Sequence, residues 1–279
     1  VRVLGEDARL LESAGCDVEA LAAIEAAVAA DGPDPGGATW RDAHVHLGRD
    51  RDGHVLDADG LVADLDANGI ADAVCFPPND PGPDGQFGAA NAAVLAAARR
   101  RPGRIVPFCR VDPSWSGAGD AMDRAQAGGA AGLKLHPVAQ GFRPESPECV
   151  AVVRDAAARG WPVLLHAGFG ARALAGPMAA LADAAPDARL ILAHGGRGDA
   201  AALEQAVRGR DGVVFDTSLA TLPDLVAIGP ERLVFGSDRP YGEHATARQL
   251  VGLAARAGGW DADALAAVMG ANLTRLLGR

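Results

Sequence analysis

Residues 40–46 read Trp-Arg-Asp-Ala-His-Val-His, a short run in which Asp42, His44 and His46 alternate with Ala43 and Val45. Side chains alternate faces along an extended chain, so His44 and His46 share one face about 6–7 Å apart, with Asp42 one step deeper. Short apolar runs recur at 71–76, 105–111, 131–136, 162–166, 190–193, 213–216 and 233–236. Ala-rich stretches of helical character lie between them, such as 89–100, 149–159, 200–207 and 246–257, and one more helix or two short ones is expected over 262–277. Strands alternating with helices pair in parallel through crossover connections. Eight of them predict an α/β fold, a (β/α)8 TIM barrel rather than an open doubly wound sheet, and no Gly-x-Gly-x-x-Gly opens a helix to support the latter.

The first 38 residues stand outside this rhythm. Residues 18–30 (VEALAAIEAAVAA) are strong helix formers, and Gly32 with the Pro/Gly cluster at 33–37 breaks them. Residues 1–38 are therefore expected to be a helical extension and linker, and 39–279 the barrel. The 279 residues carry 26 Lys and Arg against 36 Asp and Glu, a net charge of −10, with 49% hydrophobic and 22% charged residues. That is the composition of a globular chain with a sizeable core, and an acidic balance without a basic stripe argues against nucleic acid or an anionic membrane as main partner. No apolar run approaches the roughly 20 residues of a membrane span. Residues 1–10 carry Arg2, Glu6, Asp7 and Arg9, so they lack the apolar core of a secretion signal. Cys16, Cys75, Cys109 and Cys149 lie far apart with no Cys-x-x-Cys pair, which fits a reduced, cytoplasmic protein.

Five of the seven histidines close an expected strand: His44 and His46, His136, His166 and His194. Asp216 and Asp238 do the same. The C-terminal strand ends of such a barrel form its active-site mouth, so these side chains gather on one functional rim. Three histidines and a carboxylate form a recognised ligand set for Zn²⁺ and similar ions.

The pieces DAHVHLG (42–48), GLKLHPVAQGF (132–142), LLHAG (164–168), LILAHGG (190–196), VVFDTS (213–218), LVFGSDRPYG (233–242) and MGANLTRLLG (269–278) occur in the order found in a known family. From about Trp40 to its end the chain resembles the amidohydrolase superfamily, specifically the amidohydrolase-related metal-dependent hydrolases that include the aminocarboxymuconate-semialdehyde decarboxylase-like enzymes. The resemblance implies one catalytic divalent ion, Zn²⁺ first and Mn²⁺ second, held by His44, His46, His166 and Asp238. It places His194 beside the ion as an acid, base or polarising group; spacing alone does not tell which of His166 and His194 is a ligand. It implies a small-molecule substrate, and a homodimer is compatible with it, although no exposed apolar stripe demands one.

Lys134 and His136 share one face of the fourth strand. Lys134 is a carboxylated bridge between two ions in binuclear relatives; otherwise it is a cation for a substrate carboxylate or a partner of Asp216. His136 precedes Pro137 and either reaches substrate or shapes the turn. Arg110 is a clamp for a substrate carboxylate or an ion-pair partner of Asp112. The loop at 77–88 is rich in Pro and Gly, as lids often are. Tyr241 and His244 follow Asp238 closely enough to reach the site, and His54 is expected to be solvated.

The chemistry expected is hydrolysis of a C–N or C–O acyl bond (amide, lactone or ester), with Asp238 taking and returning a proton and His194 polarising the carbonyl. Non-oxidative decarboxylation of a small carboxylic acid uses the same residues and is the alternative. A metal-free lactonase or a binding barrel is the third.

Overall fold

The computed structural model describes residue 19 and residues 36–82, 86–168, 173–197 and 199–278. The helix expected over 18–30, most of the linker and Cys16 lie outside the described residues, apart from Glu19. The strands are β1 (Trp40–His46), β2 (Gly48–Arg49), β3 (Val55–Leu56), β4 (Ile70–Phe76), β5 (Ile105–Arg110), β6 (Gly132–Leu135), β7 (Val163–Leu165), β8 (Leu190–Leu192), β9 (Val213–Asp216) and β10 (Leu233–Val234). Eight of them form one parallel sheet in the order β1-β4-β5-β6-β7-β8-β9-β10, with helices between successive strands. β2 and β3 form a small antiparallel hairpin inserted after β1. The sheet nearly closes on itself: Val45 bridges Arg239, and the Ala43 amide donates to the Phe235 carbonyl at 2.8 Å.

Alternation along the strands divides the core in two. Cys75, Leu133, Val163, Leu165, Leu192 and Phe215 pack outward against the helices. Val74, Val106, Phe108, Leu164, Ile191 and Val214 point into the barrel and fill it. Glycine at 132 answers the bulk of Phe108, because a Cβ there would lie 2.3 Å from the Phe108 ring. The helices start where the sequence offers caps: Asp57, Ser146, Thr221 and Asp261 each accept an amide proton of the first turn.

Strand ends differ from the sequence reading by a residue or two. The last strand ends at Val234 rather than at 236, because the chain turns along β1 instead of continuing its ladder with β9. The C-terminal segment is helical over Ala262–Ala266 and Asn272–Leu276 with a π-helical turn at Ala267–Ala271 between them. No helix among the described residues is long and apolar enough to cross a membrane.

Candidate metal centre

The inward alternation that fills the barrel with Val106, Phe108, Leu164 and Val214 continues to the rim, and there the residue type changes. Arg110, Lys134, His166 and Asp216 take the next inward positions of β5, β6, β7 and β9 and are all buried. His44 and His46 come from β1. Asp238 follows β10 in a left-handed turn at φ 60°. His194 follows β8, also left-handed at φ 62°, with Gly195 and Gly196 continuing at positive φ. Glycine is the residue that accepts this backbone at no steric cost.

These turns bring the donors together. His44 Nε2 lies 3.0 Å and His46 Nε2 3.1 Å from Asp238 Oδ1, and the two Nε2 atoms are 3.3 Å apart. A donor atom of His194 joins those of His44 and Asp238 within 4.8 Å of one another. His166 meets the cluster through His194, its Nδ1 at 3.1 Å from His194 Nε2. His46, His166, His194 and Asp238 line a cleft of about 540 Å³ together with Lys134, His136, Tyr241 and Asn79, while His44 is fully buried.

Asp216, whose role the strand-end reading left open, is the organiser. It accepts from His44 Nδ1 at 2.7 Å, from the His194 amide at 3.0 Å, and from the Ser218 amide at 2.9 Å and the Ser218 hydroxyl. Ser218 Oγ also lies 3.0 Å from His194 Nδ1. A carboxylate on Nδ1 fixes the ring and leaves Nε2 facing the cluster, the usual support for a metal-binding imidazole. The sequence signal for it was present, an aspartate closing a strand two residues before a serine.

Burial, then the charge of Lys134, works against a positive His44, but Asp216 and Asp238 outweigh them and its pKa is raised. Burial pushes His46 down to about 3, against its bond to Asp238, and pushes His194 down to about 4, aided by the charge on His44. Burial opposes the Asp216 carboxylate, yet His44 holds it down to about 2. Asp238 is likewise held well below the usual carboxylate range, by His44 and His46 against its burial. His46 and His194 therefore present neutral imidazole lone pairs beside ionised carboxylates at neutral pH, and the anions that draw positive charge onto His44 favour a cation among the converging atoms.

Lys134 is fully buried with Nζ 3.4 Å from His44 Nε2 and 4.8 Å from the Phe76 ring centre. It forms no ion pair with Asp216 or any other carboxylate among the described residues. Burial and then Arg110 push it down to about 7. Arg110 does not pair with Asp112, which instead accepts from Ser114. Its Nη1 donates to Asn79 Oδ1 at 2.8 Å, its Nε and Nη2 have no hydrogen-bond partner among the described residues, and burial pulls its pKa to about 9. Its backbone is clamped on both sides by the Asn91 amide, at 2.8 Å each.

His136 does shape the turn: its Nδ1 accepts from the Ala139 amide at 3.2 Å, and its ring stacks on His166 at 3.8 Å. Tyr241 donates to Asp50 in the β2–β3 hairpin loop and packs edge-on to His46 at 5.1 Å. His54 is exposed, with its ring against Tyr241. His244 does not enter the cleft; it is buried between Asp42 and Asp64. Asp42 faces the β1–β10 seam and not the cleft.

A parallel eight-stranded barrel with imidazoles and carboxylates turned into its mouth defines the class, a (β/α)8 barrel with a metal-type donor set at the C-terminal strand ends. The chain belongs to the amidohydrolase family, whose sequence profile matches residues 41–279. No curated protein matches it in sequence. An amidohydrolase from Burkholderia multivorans with bound zinc is 17% identical, covering 86% of this chain and 99% of that one with a TM-score of 0.69. A 5-carboxyvanillate decarboxylase from Sphingomonas paucimobilis is 14% identical over 87% of this chain and 99% of its own, at a TM-score of 0.66. A probable 2-pyrone-4,6-dicarboxylic acid hydrolase from Acinetobacter baumannii, with citric acid bound, is 17% identical over 86% of this chain and all 100% of its own, at 0.62. At such identities the likeness speaks for the fold.

Proposed function

We propose that this chain is a metal-dependent hydrolase that cleaves a C–N or C–O acyl bond of a small carboxylated molecule, with one divalent ion, Zn²⁺ before Mn²⁺, held by His44, His46, His166 and Asp238. The observation that carries the reading is the convergence of His44 Nε2, His46 Nε2 and Asp238 Oδ1 within 3.0–3.3 Å of one another, at the cleft that His46 and Asp238 line. When bound there, a divalent ion supplies Lewis-acid polarisation and lowers the pKa of a water towards about 7. Asp238, ionised at neutral pH, takes the proton of the attacking water and returns it to the leaving group. His194, locked by Ser218 and Asp216, faces the substrate oxygen. Asp216 keeps His44 in one tautomer throughout.

Lys134 and Arg110 are buried cations without carboxylate partners among the described residues, which is costly unless an anion arrives. We assign that anion to the substrate's carboxylate. The same observation favours decarboxylation as the second reading, with His194 and Asp238 delivering a proton to carbon. The buried free thiols Cys75, Cys109 and Cys149 suit the cytoplasm, and a homodimer is compatible with the family.

Metal stoichiometry of protein purified without chelator tests the centre. About one ion per chain, lost in His166→Ala and kept in Lys134→Ala, is expected. Loss in His194→Ala with retention in His166→Ala would exchange those two roles, two ions falling with Lys134→Ala would make Lys134 a bridge, and no uptake of Zn²⁺ or Mn²⁺ would leave a metal-free lactonase or a binding barrel. Screening carboxylated lactones, amides and acids for ¹⁸O incorporation from water against CO₂ release then separates hydrolysis from decarboxylation.

A further inference from the structure

The seam where the chain after β10 returns to β1 is held by scattered bonds. The Asp238 amide donates to the His44 carbonyl at 2.9 Å and the His46 amide to the Arg239 carbonyl at 2.7 Å. One buried carboxylate stitches both sides. Asp42 Oδ1 accepts from the His44 amide at 2.8 Å and from the Ser237 amide at 3.1 Å, while its Oδ2 accepts from the Ser237 hydroxyl. The two amides belong to one proposed ligand and to the residue directly before another. Asp238 itself sits at φ 60°, a left-handed conformation that a non-glycine residue keeps only where its surroundings over-determine it.

Asp42 is in turn held from below. His244, the first residue of the helix His244–Ala257, is buried, with Nε2 2.9 Å from Asp42 Oδ2 and Nδ1 3.1 Å from Asp64 Oδ2. Asp64, on the helix Ala58–Ala67, is also 2.7 Å from Arg239 Nε. The imidazole thus ties Asp42 to a helix outside the barrel. We propose that His244, acting through Asp42, is a positioning residue for the metal centre: it fixes the one carboxylate that sets the backbone of His44 and of the Ser237–Asp238 turn together. This rests on the reading of His44 and Asp238 as ligands. Without the imidazole, Asp42 Oδ2 loses its partner on the helix side, and a rotated Asp42 releases both amides at once.

The test measures Zn²⁺ affinity by chelator competition and the visible spectrum of the Co²⁺-loaded protein, alongside melting temperature. His244→Ala is expected to weaken Zn²⁺ binding about 10–100-fold and to shift the Co²⁺ bands, the effect usual for losing a group that orients ligands. His244→Gln, which keeps a donor towards Asp42, recovers most of the affinity. Asp72→Asn breaks the Arg41–Asp72 pair (3.0 Å) at the opposite end of β1 and lowers the melting temperature with affinity unchanged. Should His244→Ala not fold, Ser237→Ala removes one donor to Asp42 and leaves the imidazole in place, with a several-fold loss expected. Wild-type affinity and an unshifted spectrum in both His244→Ala and Ser237→Ala, or an equal loss in Asp72→Asn, overturn the inference. Absence of metal uptake by the wild type overturns the ligand reading as well, and differs in that the wild type fails along with its variants.

Discussion

The charge on His244 makes a prediction about stability and pH. Burial alone would push this imidazole down, but its bonds to Asp42 and Asp64 outweigh that and raise it from 6.5 to about 9. The charged groups facing it are Asp42 from β1, Asp64 from the helix Ala58–Ala67 and, behind Asp64, Arg239. A folded-state pKa above the unfolded one means that the fold favours the protonated form. The contribution is therefore complete below pH about 6.5 and is lost as pH rises through about 9, a change of about 3 kcal/mol in all. Lys134 works in the opposite sense over an overlapping window, because burial holds it near 7 in the folded chain against an ordinary 10.5. The wild-type curve alone mixes the two, so the quantity to follow is the difference between wild type and His244→Gln. Urea unfolding of both proteins at half-unit steps from pH 6 to 10, under identical metal conditions, should show the wild-type advantage shrinking by about 3 kcal/mol, most of it above pH 7. A difference that stays flat, or grows, would refute a charged His244 between two carboxylates.

The barrel interior and the buried cation give two more. Gly132→Ala would set a Cβ 2.3 Å from the Phe108 ring, so it should cost about 1–3 kcal/mol in thermal or urea unfolding, with Phe108→Leu recovering part of the loss; an unchanged midpoint would contradict the packing. Arg110→Met should leave stability equal or higher by about 1–4 kcal/mol, because it removes a buried charge without a carboxylate partner. The same variant should bind citrate, used as a carboxylate probe, more weakly by about 1.5–3 kcal/mol in calorimetry. Loss of stability with citrate binding intact would make Arg110 structural.

The barrel was legible because its information is local. Each strand is a short apolar run and each helix an Ala-rich stretch, so counting them reached the parallel sheet that the structure forms. The rim was legible for a related reason: a histidine or aspartate ending an apolar strand stands out against the residues before it, as at His166 after Leu165 and Asp216 after Phe215. What the sequence hid is pairing at a distance. His44 and Asp216 are 172 positions apart, and Asp42 and His244 are 202 apart. No spacing rule connects residues that meet only when the sheet curls round, so Asp216 read as one more rim residue and His244 as a neighbour of the cleft. Arg110 and Asp112 show the converse. Two positions apart in sequence, they invited an ion pair, yet the turn after β5 gives Asp112 to Ser114 while Arg110 keeps its inward place.

His194 reached the rim against the alternation that placed the others. Along β8, Leu190 and Leu192 face the helices while Ile191 and Ala193 face the interior, so a continued strand would send His194 outward among apolar helix side chains. The left-handed turn at His194 reverses that direction, and its ring swings over Gly168, where a Cβ would lie 2.8 Å from the imidazole Cδ2. Three successive residues at positive φ are expensive for any sequence that is not glycine-rich, and here two of the three are Gly195 and Gly196. The third is the histidine itself, held by its amide bond to Asp216 and by Ser218 on its ring. The sequence His-Gly-Gly after an apolar strand therefore encodes more than a polar strand end. It encodes a reversal of side-chain direction, and the strain of that reversal is borne at the residue whose imidazole it turns into the cleft.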